Sequence, residues 1–181
     1  MIIFIIRICD IINIRGVGNM LKWIKLFSNQ YLGFWLLGLL LFAVQEIPYM
    51  VMPLFKLKNN PIMNMTETSP FLDILEKILG SLCIALMVLV VNKNTSFFEI
   101  GNGIQKIAFI SMIVVLLLNF FGWGLYFKGY QSIFIMMFFI VFLPPLYYIL
   151  IGIWRQNWIL VYTGILFLFV HTIHVYKNLT V

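Results

Sequence analysis

Residues 104–127, IQKIAFISMIVVLLLNFFGWGLYF, hold one charge in the whole run, Lys106, and it stands in the first turn. A run that long and apolar matches the roughly 20 residues an α-helix needs to cross a hydrocarbon core about 30 Å thick. It is apolar around its full circumference, so it reads as a helix among lipids and other helices. An amphipathic helix lying on a surface would show one polar face.

Runs of the same kind recur on both sides of it. The sequence predicts an all-α polytopic membrane protein, a bundle of five transmembrane helices over about 31–52, 70–91, 104–127, 131–154 and 158–176. Residues 31–177 then form one membrane domain, preceded by a leader and juxtamembrane segment over 1–30. Pro48 is expected to kink or end the first helix, and Pro144-Pro145 to break the fourth. Ser69-Pro70 predicts the start of the second, with the hydroxyl as cap and proline in the first turn. Trp35, Trp154 and Trp158, with Tyr31, Tyr130 and Tyr176, fall near helix ends, where amphipathic rings favour the lipid–water interface.

Composition agrees. Of 181 residues 63% are apolar and 10% charged, more apolar surface than a water-soluble chain can hide. The net charge of +6 comes from Lys and Arg scattered singly between apolar runs, so they read as loop anchors and no nucleic-acid partner is indicated. Cys9 and Cys83 are isolated, which points to neither a disulfide framework nor a CxxC metal site. GxSxG, phosphate-loop, HExxH and GxGxxG patterns are absent, so no catalytic residue, cofactor or metal is assigned.

Met20-Leu-Lys-Trp-Ile-Lys places positive charges just before the first helix, and Met20 reads as the natural start, with 1–19 an upstream translated stretch of a bacterial gene. The expected location is the bacterial inner membrane. With the N-terminus inside, Arg7, Arg15, Lys22, Lys25, Lys93, Lys106 and Arg155 fall on the cytoplasmic side and Lys56, Lys58, Lys77, Lys128 and Lys177 on the other. Seven against five favours a cytoplasmic N-terminus; without residues 1–19 the two sides are equal.

Alternating helices rising about 1.5 Å per residue bring distant polar residues to one depth. Glu46 lies fifteen residues after Tyr31, Asn119 fifteen after Ile104 and His171 thirteen after Trp158, on helices that run the same way. All three are expected about 20–22 Å along the path, with Asp73, Glu76 and Lys77 at a neighbouring level. Buried polar groups in hydrocarbon are costly unless they face the bundle, so this layer is the candidate site. The predicted binding set is Gln45, Glu46, Glu76, Asn119, His171 and His174.

That pattern supports a binding or accessory component working in the lipid bilayer, alone, as a homo-oligomer or with other membrane subunits. A rival reading is a membrane enzyme using Glu46 and His171 in proton transfer on a lipid-like substrate. A third is a structural or immunity-type subunit whose polar residues only join helices, with Asp73 and Lys77 pairing across one turn and Asn119 bonding to a neighbour. In size, helix count and aromatic content the chain is similar to the tryptophan-rich sensory (translocator) proteins, five-helix bundles that bind tetrapyrroles and sterols. Asn119 and Trp123 loosely echo a pair in that family; the resemblance is one of architecture and assigns no function.

Overall fold

Among the described residues five helices alternate in direction between two ends of a bundle. The computed structural model describes residues 21–55, 57, 59–92 and 98–180, so the reading of Met20 as the start, and Arg7, Cys9, Arg15, Lys56, Lys58 and Lys93, lie outside the described residues. The helices are α1 (Leu36–Val51, continued by a 3-10 turn Met52–Leu54), α2 (Pro70–Leu89), α3 (Gly103–Phe127), α4 (Ile133–Trp154) and α5 (Trp158–Leu179). All but α2 are long and apolar enough to cross a membrane, the mark of a multi-pass membrane protein.

The chain is not purely helical. Leu21–Phe27 (β1), Gln30–Phe34 (β2) and Val90–Asn92 (β3) form a three-stranded antiparallel sheet in that order. The first helix therefore starts at Leu36 and not near residue 31. Ser28 takes a positive φ of 48° in the two-residue turn, Tyr31 pairs with Val91 and Leu32 with Val90. The Trp35 amide then donates to the Val88 carbonyl at 2.8 Å, which holds the backbone extended until the next residue. Aromatic and β-branched residues suit such a pleated, half-buried surface.

α2 packs along α5, and α4 lies between α3 and α5. Gly122 and Gly164 permit the close approaches: a Cβ on the first would collide with the Phe139 side chain, and on the second would lie 2.8 Å from Cγ1 of Ile149. Outside, α3 presents Ile104, Ile107, Ile110, Val114, Leu117 and Phe121, while Gln45, Gln105, Asn119, Thr163 and Asn178 are buried. Apolar outside and polar inside is the sorting expected of a bundle solvated by lipid. α3 opens with a capping box, in which the Asn102 side chain accepts from the Gln105 amide at 2.9 Å and Gln105 Oε1 accepts from the Asn102 amide at 3.1 Å.

Further expected features differ. Of the two effects expected of Pro48, a kink or an end, the end does not occur, since the helix runs on to Val51. Trp35 and Trp154 do not form a lipid-facing belt. They are 2% and 1% exposed and pack edge-on at 5.7 Å, with the Arg155 guanidinium 4.5 Å above the Trp35 ring, a cation–π contact that favours the interior over the interface. Trp158, Tyr130 and Tyr176 are exposed, in keeping with such a belt.

Pro144 and Pro145 do not break α4. Residues Met136–Phe142 are instead wound as a π-helix that passes into the α-helix Leu143–Trp154. In that wider register the Phe139 carbonyl looks to residue 144 and the Ile140 carbonyl to residue 145, both prolines without an N–H. Side chains supply the missing donors: Asn119 Nδ2 donates to the Phe139 oxygen at 2.7 Å and the Tyr49 hydroxyl to the Ile140 oxygen at 3.1 Å. Asn119→Ala is expected to lower stability in detergent by about 1 kcal/mol. Much of that cost should vanish in a Pro144→Ala background, where an N–H returns; strictly additive losses in this double-mutant cycle would count against the compensation.

Candidate functional site

Helix α5 carries His171, His174 and Asn178 at i, i+3 and i+7, a stripe along one face at its C-terminal end. α2, running antiparallel beside it, brings Glu76 to the same level from its N-terminal end. The Glu76 carboxylate lies between the two imidazoles, with Oε1 2.9 Å from His171 Nδ1 and Oε2 in a short contact with His174 Nδ1. A carboxylate only accepts, so both rings present Nδ1–H to it and keep Nε2 for other partners.

On its far side His174 meets the connection that leads into α2. Its Nε2 is 3.1 and 3.2 Å from the two Glu67 oxygens and 2.9 Å from Asn178 Nδ2. Asn178 Oδ1 accepts from the Thr68 amide at 3.0 Å and the Thr68 hydroxyl at 2.6 Å. Ser69 stands at the N-cap of α2 as expected, yet its hydroxyl makes no capping bond; its own amide donates to Glu67 Oε1 at 2.8 Å, which helps fix that carboxylate. Asp73 joins the edge of this group, paired with the exposed Lys77 at 2.7 Å.

Next to these residues a cleft of about 190 Å³ opens between α1, α2, α4 and α5. Gln45, Glu46 and His171 supply its polar lining among the apolar walls of Ile84, Pro144 and Phe167. Gln45 is buried and accepts from the Tyr148 hydroxyl at 2.8 Å. That bond, and one from the Tyr147 hydroxyl to the Leu41 carbonyl at 3.1 Å, hold α1 against α4. Glu46 is half-buried. Glu46 and His171 share the cleft without forming an ion pair among the described residues; the ion pair His171 makes is through Nδ1 to Glu76.

Five of the six predicted residues therefore gather in two adjoining groups, Gln45, Glu46 and His171 around the cleft and Glu76, His171 and His174 beside it. Asn119 stands apart, bonded to the Phe139 carbonyl. Glu67, Thr68 and Asn178 were not anticipated. The position of Asn178 four residues after His174 was the available signal, because i, i+4 neighbours share a helical face.

Fold and site together define a multi-pass helical membrane protein with a polar cleft and an acid–histidine cluster at one end. Comparison with protein-family models, with curated proteins and with solved structures finds no match. The architectural likeness to the tryptophan-rich sensory proteins thus carries nothing further.

Glu76 and Asp73 are three residues apart yet differ in context, and the difference is measurable. Removing the Glu76 carboxylate leaves two largely buried imidazoles without an acceptor, a cost of about 1–3 kcal/mol. The Asp73–Lys77 pair is solvent-exposed and contributes little. Thermal unfolding in detergent should show a clear drop for Glu76→Ala and almost none for Asp73→Ala; equal drops would mean that the cluster is not held by Glu76.

Proposed function

We propose that the chain is a binding or accessory component of the bacterial inner membrane, spanning it five times with its N-terminus in the cytoplasm. The cleft between α1, α2, α4 and α5 is its ligand site. What supports this reading is that a half-buried carboxylate, Glu46, and the His171 imidazole line one largely apolar cleft inside a membrane bundle. Intramembrane ionisable residues are expensive and commonly mark sites of function. At about 190 Å³ the cleft is smaller than the roughly 300–1,000 Å³ of drug-sized ligand sites, so it suits a cationic or hydrogen-bond-donating head group more than an entire lipid.

The fifth crossing rests on α2. Its 20 residues extend about 30 Å, and it packs along α5, itself long and apolar enough to cross. Its charges, Asp73, Glu76 and Lys77, are confined to the first turns, where Glu76 turns toward the histidines and Lys77 toward water. A cytoplasm-dependent reporter should be silent when fused after Asn64 and active when fused after Asn92. Identical signals at the two points would remove the fifth crossing.

A second reading keeps one specific observation in its favour. Glu67, His174, Glu76 and His171 form a continuous chain from an exposed carboxylate to the cleft, a route along which protons could pass to a substrate beside Glu46. Ligand retention separates the two. Native mass spectrometry after mild extraction should find a bound amphiphile in the parent protein that is lost in Glu46→Gln and in Ile84→Trp, which fills the cleft. Retention unchanged in both variants would overturn the assignment of the cleft.

A further inference from the structure

We infer that His174, Glu67 and Asp73 form a binding site for one divalent transition-metal ion of the zinc type, at the end of the bundle where α2 begins and α5 finishes. The inference goes beyond the cleft and does not depend on its having a ligand.

Hydrogen-bond directions lead to it. The Thr68 backbone amide can only donate, and it donates to Asn178 Oδ1, so the amide of Asn178 is oriented with Nδ2 toward His174. Nδ2 can only donate as well, which makes His174 Nε2 a lone pair. Nδ1 of the same ring carries the proton, given to Glu76. The buried imidazole is thus fixed in the tautomer that ligates metal, with a carboxylate behind it, the outer-shell arrangement that orients and strengthens histidine ligands.

In front of that lone pair stand two carboxylates. Both Glu67 oxygens are within 3.2 Å of Nε2, and ligand atoms of Glu67, Asp73 and His174 all lie within 4.8 Å of one another. Each of these three acceptors has one donor: Asn178 Nδ2 to the lone pair, the exposed Lys77 to Asp73 at 2.7 Å and the Ser69 amide to Glu67. None of those donors is a cation lying between Glu67 and the imidazole, and a metal ion would displace Asn178 from the lone pair. A small dication there turns three mutually repelling groups into ligands. One imidazole nitrogen and two carboxylate oxygens suit Zn²⁺, Co²⁺ or Mn²⁺; an oxygen-only ion such as Mg²⁺ or Ca²⁺ would not select the imidazole. The partly exposed position leaves the fourth place of a tetrahedral site to water.

The test uses the full chain in detergent, without a polyhistidine tag and freed of metal by chelator. Calorimetric titration with ZnCl₂ should show one equivalent bound, and Co²⁺ should give the intense visible bands of a tetrahedral site with imidazole nitrogen among its ligands. Glu67→Gln lies at the exposed edge, so the fold should survive it. It and Asp73→Asn should each weaken Zn²⁺ at least about tenfold, and Glu76→Gln, which acts only through His174, about 10–100-fold. Helical circular dichroism confirms folding of each variant. Absence of Zn²⁺ binding, or affinity unchanged in folded Glu67→Gln and Asp73→Asn, would overturn the site.

Discussion

A carbonyl oxygen inside a bilayer has no water to accept from, and Phe139 and Ile140 each have one facing a proline where its donor should be. The bundle is arranged around that constraint. α3 supplies Asn119 to one oxygen and α1 supplies Tyr49 to the other, so α4 is clasped from two sides where its prolines remove backbone donors. The tyrosine bonds from Tyr147 and Tyr148 to α1 lie about one to three turns further along α4, beyond the same proline pair. Without the two prolines α4 would need neither the Asn119 bond nor the Tyr49 bond, and α1 would keep only its ties to Tyr147 and Tyr148.

The two ends of the bundle are closed differently. At the end where α1 begins, the turn between α4 and α5 docks under the sheet: Gln30 and Asn92 both donate to the Gln156 carbonyl, and Asn157 donates to the Leu86 carbonyl while capping the Leu160 amide. Arg155 is enclosed there with Trp35 and Trp154. Burial lowers its guanidinium to about 10, with nearby Glu99 opposing the change, which still leaves it fully charged at neutral pH. It is therefore an internal cation holding rings together, and it counts for less than a free loop charge in deciding which side of the membrane it occupies. At the other end the 59–69 connection lies over the bundle, with Asn60 and Ile62 bonded to the Tyr126 hydroxyl, and there the histidine cluster stands beside the cleft.

Sequence periodicity and length revealed the helices from the second onward to within a few residues, because polar connections separate them. The first was misjudged since Tyr31-Leu-Gly-Phe-Trp runs into Leu36 with no polar break, and hydropathy cannot tell an apolar strand from the helix that follows it. Ser28-Asn29 between two short apolar stretches was the hairpin signal that remained. For the site, depth was legible and azimuth was not. Glu46 and His171 reach one cleft as their positions along the helices imply, but Asn119 is directed at the backbone of α4, which spacing on a single helix cannot disclose. Glu67 sat in a stretch readable only as a loop, and its role depends on an α5 that continues past residue 176 to Asn178.

Electrostatics explain why this cluster assembles at the far end. α2 starts there and α5 stops there, so the positive end of one helix dipole lies beside the negative end of the other. Asp73 and Glu76 stand in the first turns of α2, where a carboxylate is favoured; His171, His174 and Lys177 stand in the last turns of α5, where a proton-bearing or cationic group is favoured. Each residue suits its own helix end before any contact forms. Packing the two helices antiparallel then delivers carboxylate to imidazole with no further requirement. Glu76 and both histidines are borne by helices, not by loops, so the imidazole that faces Glu67 is held by the same packing that holds the bundle, as a site that must keep its geometry requires.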